Sequence, residues 1–188
     1  MRLFVSVDVP DRLRGSLGAL QKEFRGAEDL RPTDPGQAHV TLSFLGDVDE
    51  ERLDDVEAAI GRALEAADVE AFPVELGGVG VFPSLDYVSV VWVGVRDGSA
   101  ALAALNAALE GELEALGFEG DDHEFTPHVT VGRMDGPGGK ETVRELVTER
   151  EPDIGRFRAS EVRSKASEHT DEGPEYRTVA SFPLVGDG

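Results

Sequence analysis

Alternating apolar and polar residues along the chain predict a series of β-strands. Residues 2–9, RLFVSVDV, alternate over a stretch rich in β-branched and aromatic side chains, which is typical of a strand with one buried face. The same reasoning predicts strands over six further stretches: 39–46, 72–82, 87–95, 127–134, 156–164 and 176–185. Glycines interrupt the 72–82 stretch, so we expect a bulge or a bend in that strand.

Apolar residues at helical spacing lie between these strands. The first predicted helix follows Pro10 and Asp11, which are typical of a helix start. Its apolar stripe consists of Leu13, Leu17, Leu20 and Phe24. Further helices are predicted over 49–67, over 99–116 and over 139–150. Strand, helix, strand, helix, strand therefore occurs twice, which predicts a pseudo-symmetric α+β protein with two lobes.

Length and composition narrow the class of protein. At 188 residues and 40% apolar composition the chain is predicted to be one domain, 1–188, with lobes at about 1–85 and 86–188. An alternative is that the C-terminal strands cross to the first lobe. No stretch approaches the roughly 20 apolar residues of a membrane-spanning helix, and no signal peptide is evident, so we expect a cytoplasmic protein away from membranes. The absence of cysteine excludes disulfides, a thiol nucleophile and thiolate metal sites.

The chain is strongly acidic. It has 18 basic and 38 acidic side chains, a net charge of −20. One interpretation is that the protein avoids polyanions such as nucleic acid. We favour a surface adapted to concentrated salt, because the acids are spread along the chain and self-repulsion is screened within about 3 Å at 1 M salt. Net charge then says little about the ligand, and local arginines matter more.

A short motif occurs once in each half of the chain. HVT stands at 39–41 and again at 128–130. Because side chains alternate along a strand, His39 and Thr41 point the same way, as do His128 and Thr130. Each strand thus offers one imidazole and one hydroxyl on one face. If the lobes are related by an approximate two-fold axis, the two pairs can face each other across a cleft.

Two imidazoles and two hydroxyls fit acid–base chemistry at phosphorus. With an ordinary pKa of about 6.5, one histidine can be neutral while the other is protonated. The neutral ring would deprotonate a water molecule, and the protonated ring would protonate the leaving oxygen. Thr41 and Thr130 can donate to the non-bridging oxygens, and Arg133 supplies a positive charge for a phosphate. At an odd offset from His128, Arg133 reaches this face only if Gly132 bends the strand.

The histidines also have other interpretations. A lone histidine in a strand is more often structural than functional, whereas a matched pair favours function. His123 is interpreted as a loop residue, and His169 as a residue that could line the cleft. The four histidines match no familiar metal-ligand spacing, so no metal site and no cofactor are expected. The motifs of serine hydrolases, P-loop enzymes and Rossmann enzymes are also absent from the sequence.

Several segments together resemble the two-histidine phosphoesterases, specifically the RNA 2′,3′-cyclic phosphodiesterases, also called 2′-5′ RNA ligase-like proteins. They are RLFVSVDVP, HVTLSFLGDV, GGVGVFP, VVWVGV, LGFEGDDHEFTPHVTVGRM and GPEYRTVASFPL. The resemblance implies two antiparallel-type sheets that line a central cleft, with the helices outside. It also implies metal-independent hydrolysis of a 2′,3′-cyclic phosphate to a 2′-phosphate, and in some members reversible 2′-5′ ligation of RNA ends.

The resemblance also implies roles for individual residues. His39 and His128 would be catalytic, with Thr41, Thr130 and Arg133 binding phosphate. Three aromatic residues are candidates for stacking on a base: Phe44, Phe125 and Tyr176. For Phe44, ordinary core packing is an equal alternative. The chain departs from the family pattern in two places, at His123, where members often have arginine, and at residues 167–171, where members often read Ser-x-Leu-Thr-Pro.

The predicted function is therefore a phosphodiesterase whose ligands are RNA ends or nucleotides bearing a 2′,3′-cyclic phosphate, with no obligate protein partner evident. We lean to His128 as the base and His39 as the acid. Two alternatives stay open. One is 2′-5′ RNA end ligation, or cleavage of another small cyclic phosphodiester, in the same site. The other is a non-catalytic module that binds RNA ends or nucleotides.

Overall fold

The fold comes from a computed structural model, which describes residues 1–120 and 124–186. These residues form four α-helices, whose bounds are α1 Arg14–Glu23, α2 Leu53–Ala67, α3 Ser99–Ala115 and α4 Lys140–Glu149. Short 3₁₀ turns precede α1 and α2, so both helices begin a few residues later than the sequence predicts. After α3 the backbone of Gly117 is left-handed, with φ of 92°, as is typical where a helix ends.

Nine strands make up the rest of the regular structure in the described residues. In chain order they are β1 Arg2–Asp8, β2 Leu30–Pro32, β3 His39–Asp47, β4 Phe72–Pro83, β5 Val88–Val95, β6 His128–Met134, β7 Asp153–Ala159, β8 Glu161–Thr170 and β9 Gly173–Pro183. Their pairings are all antiparallel. The predicted α+β class is therefore confirmed.

The strands form two groups of four that meet in the middle of the sheet. The order is β7-β4-β5-β6-β3-β1-β8-β9, with β2 paired to β6. Within the described residues, β3 and β6 are joined at one residue pair, Val40 with Val129. The two predicted sheets are thus hydrogen-bonded into one at this point. The division into lobes at about residue 85 stays a prediction; by strand pairing, β4 lies beside β5, and β8 and β9 extend the group of β1.

One face of the sheet is buried against the helices. Val5, Val40 and Val129 have no exposed surface, and Leu105 of α3 and Ile60 of α2 belong to the same apolar core. Because side chains alternate along a strand, the neighbouring residues point to the opposite face. That second face carries both candidate histidines, and we call it the histidine face.

Two predictions about strands were wrong in detail. The stretch 156–164 is not one strand: it breaks at Ser160, where the chain leaves β4 as partner and pairs with β1 instead. The alternating pattern runs through this change of partner and so cannot reveal it. Strand β2 lies where the sequence pattern predicts no strand, because three residues that include Pro32 give too weak a local signal.

Among the described residues, no helix is long and apolar enough to cross a membrane.

Candidate active site

The two HVT motifs lie side by side where β3 meets β6. The junction pair is Val40 with Val129. Continuing this antiparallel register by one residue in each direction places His39 beside Thr130 and Thr41 beside His128. Residues directly opposite on antiparallel strands share a face. The two imidazoles and two hydroxyls therefore form a compact group on the histidine face, with the imidazoles on one diagonal and the hydroxyls on the other.

Both imidazoles are held in the same tautomer by the backbone. The Nδ1 atom of His39 lies 2.8 Å from the carbonyl oxygen of Gln37, and Nδ1 of His128 lies 2.7 Å from that of Thr126. A carbonyl oxygen only accepts, so Nδ1 donates in both rings. The proton on Nδ1 leaves Nε2 as the atom that can take up and release a proton. Each ring is thus oriented as a general acid or base requires.

Burial makes both imidazoles harder to protonate. It is the main cause that lowers the pKa of His39 below 6.5, and the charge of Lys165 lowers it further, while the carbonyl of Gln37 and the carboxylate of Asp8 oppose the shift. Charge on His128 also lowers the pKa of His39, so the two rings are within electrostatic range of each other. A bound anion would offset these effects by favouring the protonated rings.

Burial also lowers the pKa of His128 below 6.5. The hydrogen bond to Thr126 opposes this shift, and the charge of Arg133 reinforces it. The guanidinium of Arg133 is therefore within electrostatic range of the ring.

Two aromatic rings fix the position of His39. Phe4 lies 4.9 Å from the imidazole between ring centroids, and Tyr176 packs edge-on at 5.2 Å. The side chain of Gln37 is bound to strand β9. Its Oε1 accepts from the backbone N–H of Tyr176 at 2.8 Å, and its Nε2 donates to the carbonyl of Pro174 at 3.0 Å. Gln37 therefore holds both the tautomer of His39 and the strand that carries Tyr176.

A second pair of aromatic rings flanks His128. Phe82 packs edge-on at 4.9 Å, and Trp92 lies at 5.9 Å between ring centroids. Trp92 needs a glycine opposite it, because a Cβ atom at Gly80 would lie 2.4 Å from the indole ring. This close approach explains one of the glycines that interrupt β4.

Arg133 reaches the histidine face through an irregularity in β6. The register between β5 and β6 shifts by one residue just after Thr130. The pairs on either side of the shift are Trp92 with Thr130 and Val91 with Gly132. Because the extra residue, Val131, restarts the alternation, Arg133 points the same way as His128 and Thr130. The prediction placed a bend at Gly132, whereas the register shift lies one residue earlier, at Val131.

Phe44 reaches the same face by the same device in β3. The pairs on either side of this shift are Ser6 with Thr41 and Val5 with Ser43. Phe44 then lies opposite Phe4, with 6.2 Å between their ring centroids, and is 68% exposed. This exposure contradicts the alternative of core packing and leaves the ring accessible to a ligand.

An ion-paired group lies beside His39 on the histidine face. The ammonium of Lys165 lies 2.9 Å from Asp8, and the guanidinium of Arg163 lies 3.0 Å from the same carboxylate, which also accepts from the hydroxyl of Ser6 at 3.0 Å. Lys165 is only 7% exposed. Asp8 lies opposite His39 in the register, and the two charges act on the ring in opposite directions: Lys165 lowers the pKa of His39 and Asp8 raises it.

Two further predicted residues, Phe125 and His169, lie within the described part of the chain. Phe125 is half-buried and packs against the hydrophobic core. His169 is exposed near the end of β8, opposite Pro174 of β9. His123 lies outside the described residues. Within the described part of the chain, no three His, Asp or Glu side chains cluster as a metal site requires.

The family follows from comparison with known proteins. Residues 9–163 match the family model of the 2′-5′ RNA ligase superfamily, and this range includes both HVT motifs. The chain belongs to this superfamily.

Relatives within the 2′-5′ RNA ligase superfamily cover the chain almost completely. A protein of Methanothermobacter thermautotrophicus named RNA 2′,3′-cyclic phosphodiesterase is 34% identical over 98% of this chain and 99% of its own length. One of Archaeoglobus fulgidus with the same name is 35% identical over 97% and 99%. The crystal structure of a Thermus thermophilus protein superimposes with a TM-score of 0.77 at 29% identity and covers 100% of both chains.

Several residues of this chain lie at the candidate site although the sequence analysis did not predict them there. They are Phe4, Asp8, Gln37, Phe82, Trp92 and Lys165. One signal was available: Asp8 ends a strand on the side shared by Phe4 and Ser6, and a charge there needs a partner. Which residue provides that partner depends on strand pairing across 157 residues of sequence, so the sequence pattern could not identify Lys165.

Proposed function

We propose that this protein is an RNA 2′,3′-cyclic phosphodiesterase, which opens the cyclic phosphate at an RNA 3′ end to leave a 2′-phosphate. The observation that carries the proposal is the matched pair of imidazoles. Both bind a backbone carbonyl through Nδ1 and present Nε2, and they lie on adjacent strands of one face. The names of the full-length relatives favour this activity over ligation or simple binding.

The proposed reaction is an in-line displacement at phosphorus. His128 takes a proton from water through Nε2 as the water oxygen bonds to phosphorus. The bond from phosphorus to the 3′ oxygen breaks on the opposite side, and His39 donates its Nε2 proton to that oxygen. The 2′ oxygen keeps its bond to phosphorus, so the product is a 2′-phosphate and a 3′-hydroxyl. After release, the proton passes from His128 to His39 through solvent.

Thr41, Thr130 and Arg133 stabilise the phosphate during this step. The threonine hydroxyls lie on the diagonal that crosses the one joining the imidazoles, and they donate to the non-bridging oxygens. Arg133 adds a charge that compensates the negative charge building up at phosphorus. On the other side of the site, Phe44 and Tyr176 stack against the base of the terminal nucleotide. Phe125, which packs on the core, is less suited to that contact.

An RNA oligomer ending in a 2′,3′-cyclic phosphate tests this proposal directly. We expect conversion to the 2′-phosphate, identified by ³¹P NMR, and we expect it to persist in EDTA. The assay is run in molar salt, because the net charge of −20 suggests adaptation to concentrated salt. A variant that lacks both histidines is the control. Binding without turnover would contradict the proposal, and so would a 3′-phosphate product. The cytoplasmic location stays a prediction.

A further inference from the structure

Two arginines face each other across neighbouring strands beside the candidate site. The antiparallel register between β2 and β6 places Arg31 directly opposite Arg133. Because directly opposite residues share a face, Arg31 also lies on the histidine face. Going outward from His128, the histidine face thus presents Thr130, then Arg133, and then Arg31 on the adjacent strand.

This pairing is unfavourable for folding alone. Like charges directly opposite on antiparallel strands destabilise a sheet. In a chain with 18 basic and 38 acidic residues, an arginine opposite an arginine is also uncommon on composition alone. Arg31 is compensated by Asp135 at 2.6 Å, but both side chains are exposed, by 77% and 49%. An exposed pair of this kind contributes little to stability, so little is lost when a phosphodiester replaces the Asp135 carboxylate.

The backbone holds Arg31 at a fixed place relative to the motif. Two residues further on, Thr33 donates through its backbone N–H to the carbonyl of Val131 and through its hydroxyl to the carbonyl of Thr130, both at 3.0 Å. On its other side Leu30 packs against Gly132, where a Cβ atom would lie 2.8 Å from the leucine side chain. Strand β2 is therefore pinned to the distorted part of β6, and Arg31 is presented beside Arg133.

We propose that Arg31 binds the phosphodiester that precedes the terminal nucleotide, so that the site favours an RNA chain over a free cyclic nucleotide. This inference rests on the proposed function. A nucleoside 2′,3′-cyclic phosphate carries one phosphate, which the threonines and Arg133 receive. An oligonucleotide brings a second phosphate, and a guanidinium on the same face binds it with two parallel hydrogen bonds. Asp135 releases Arg31 as the phosphate arrives.

The test compares two substrates on one variant. Arg31→Gln removes the charge and keeps a polar side chain. We expect the kcat/KM for a short RNA ending in a cyclic phosphate, divided by that for a nucleoside 2′,3′-cyclic phosphate, to fall about five- to tenfold. The slope of log affinity against log salt for the RNA should shrink by about 0.7, the value for one lost contact to single-stranded nucleic acid. Arg62→Gln is the matched control, because Arg62 pairs with Glu112 between two helices, away from the histidine face.

A second measurement separates this inference from the proposed function. Binding of an RNA that already ends in a 2′-phosphate requires no turnover. If the wild-type protein hydrolyses neither substrate, the proposed function fails, yet weaker binding of this RNA by Arg31→Gln would still support the subsite. If Arg31→Gln matches the wild type both in the ratio of kcat/KM values and in its affinity for this RNA, the proposed subsite does not exist. An equal loss on both substrates would also overturn it, because Arg31 would then act only by positioning Arg133.

Discussion

The two halves of the candidate site share one backbone design. In each half the histidine begins a strand, and its Nδ1 donates to the carbonyl two residues before it. In each half the register shifts at the third residue after the histidine, Leu42 in β3 and Val131 in β6. This shift turns the fifth residue after each histidine toward the histidine face. The duplicated backbone therefore presents two imidazoles in equivalent orientations, as our proposed pair of proton-transfer groups requires.

The side chains around the two histidines differ, so the two ends of the site are chemically distinct. The fifth residue is Phe44 in one half and Arg133 in the other. Beside His39 lie exposed aromatic surface and a buried ion pair, whereas Arg31 extends the positive surface beside His128. The His39 half thus fits a nucleoside, and the His128 half fits phosphates. We therefore expect the two identical motifs to have separate roles, because the residues around them differ.

The largest effects should come from the histidines themselves. We expect His39→Ala and His128→Ala each to lower kcat on an RNA cyclic phosphate by about 10²- to 10⁴-fold, the usual contribution of a general acid or base. Circular dichroism of each variant checks that the fold is kept. Near wild-type turnover in either variant would contradict the paired mechanism.

The two histidine variants should then differ on a substrate with an easier leaving group. A nucleoside phosphodiester that releases 4-nitrophenolate needs no proton from the enzyme. If His39 is the acid, His39→Ala should recover on this substrate, while His128→Ala should stay impaired because water still needs a base. Recovery of His128→Ala instead would reverse the assignment, and equal behaviour would contradict a division of roles.

A smaller contrast should separate the two residues at the fifth position. Arg133→Gln should lower kcat/KM about 10- to 100-fold, as expected for a hydrogen bond to a charged group. Phe44→Leu should raise KM about fivefold, since stacking on a base contributes roughly 1 to 3 kcal/mol. Only the arginine variant should weaken the dependence of KM on salt. Val185→Ala is a control for Phe44, because Val185 is also a largely exposed apolar residue. Equal salt dependence of KM in both variants would contradict the assignment of phosphate to the His128 half and of the nucleoside to the His39 half.

The same comparison shows which features of the fold and the site a sequence pattern can predict. Period-two alternation predicted most strands, and the repeated HVT motif predicted that His39, Thr41, His128 and Thr130 share one face, because both signals are local. The faces of Phe44 and Arg133 depend on strand irregularities, and an alternating pattern does not reveal these in advance. The neighbours of each histidine come from strand pairings between distant parts of the chain. Lys165 beside Asp8 and Arg31 beside Arg133 are of this kind.

The pH dependence should show the finest difference between the halves. Burial lowers the pKa of both histidines below 6.5. The base acts above its pKa and the acid below its own, so the bell-shaped profile of kcat/KM should centre below pH 6.5 and fall as pH rises through neutrality. A bound phosphate favours protonated imidazoles, so the profile of kcat should lie at higher pH.

Lys165 and Arg133 should shift these titrations separately. The charge of Lys165 lowers the pKa of His39, and that of Arg133 lowers the pKa of His128. Lys165→Met should therefore raise the pKa of His39, and Arg133→Gln should raise that of His128, each by less than the effect of burial. NMR titration of the two imidazoles measures both shifts, with Arg62→Gln as the control. Both variants moving the same imidazole would contradict the separate electrostatics of the two halves. Shifts confined to separate rings would show that each motif is tuned by its own neighbour, with a duplicated backbone serving two distinct proton transfers.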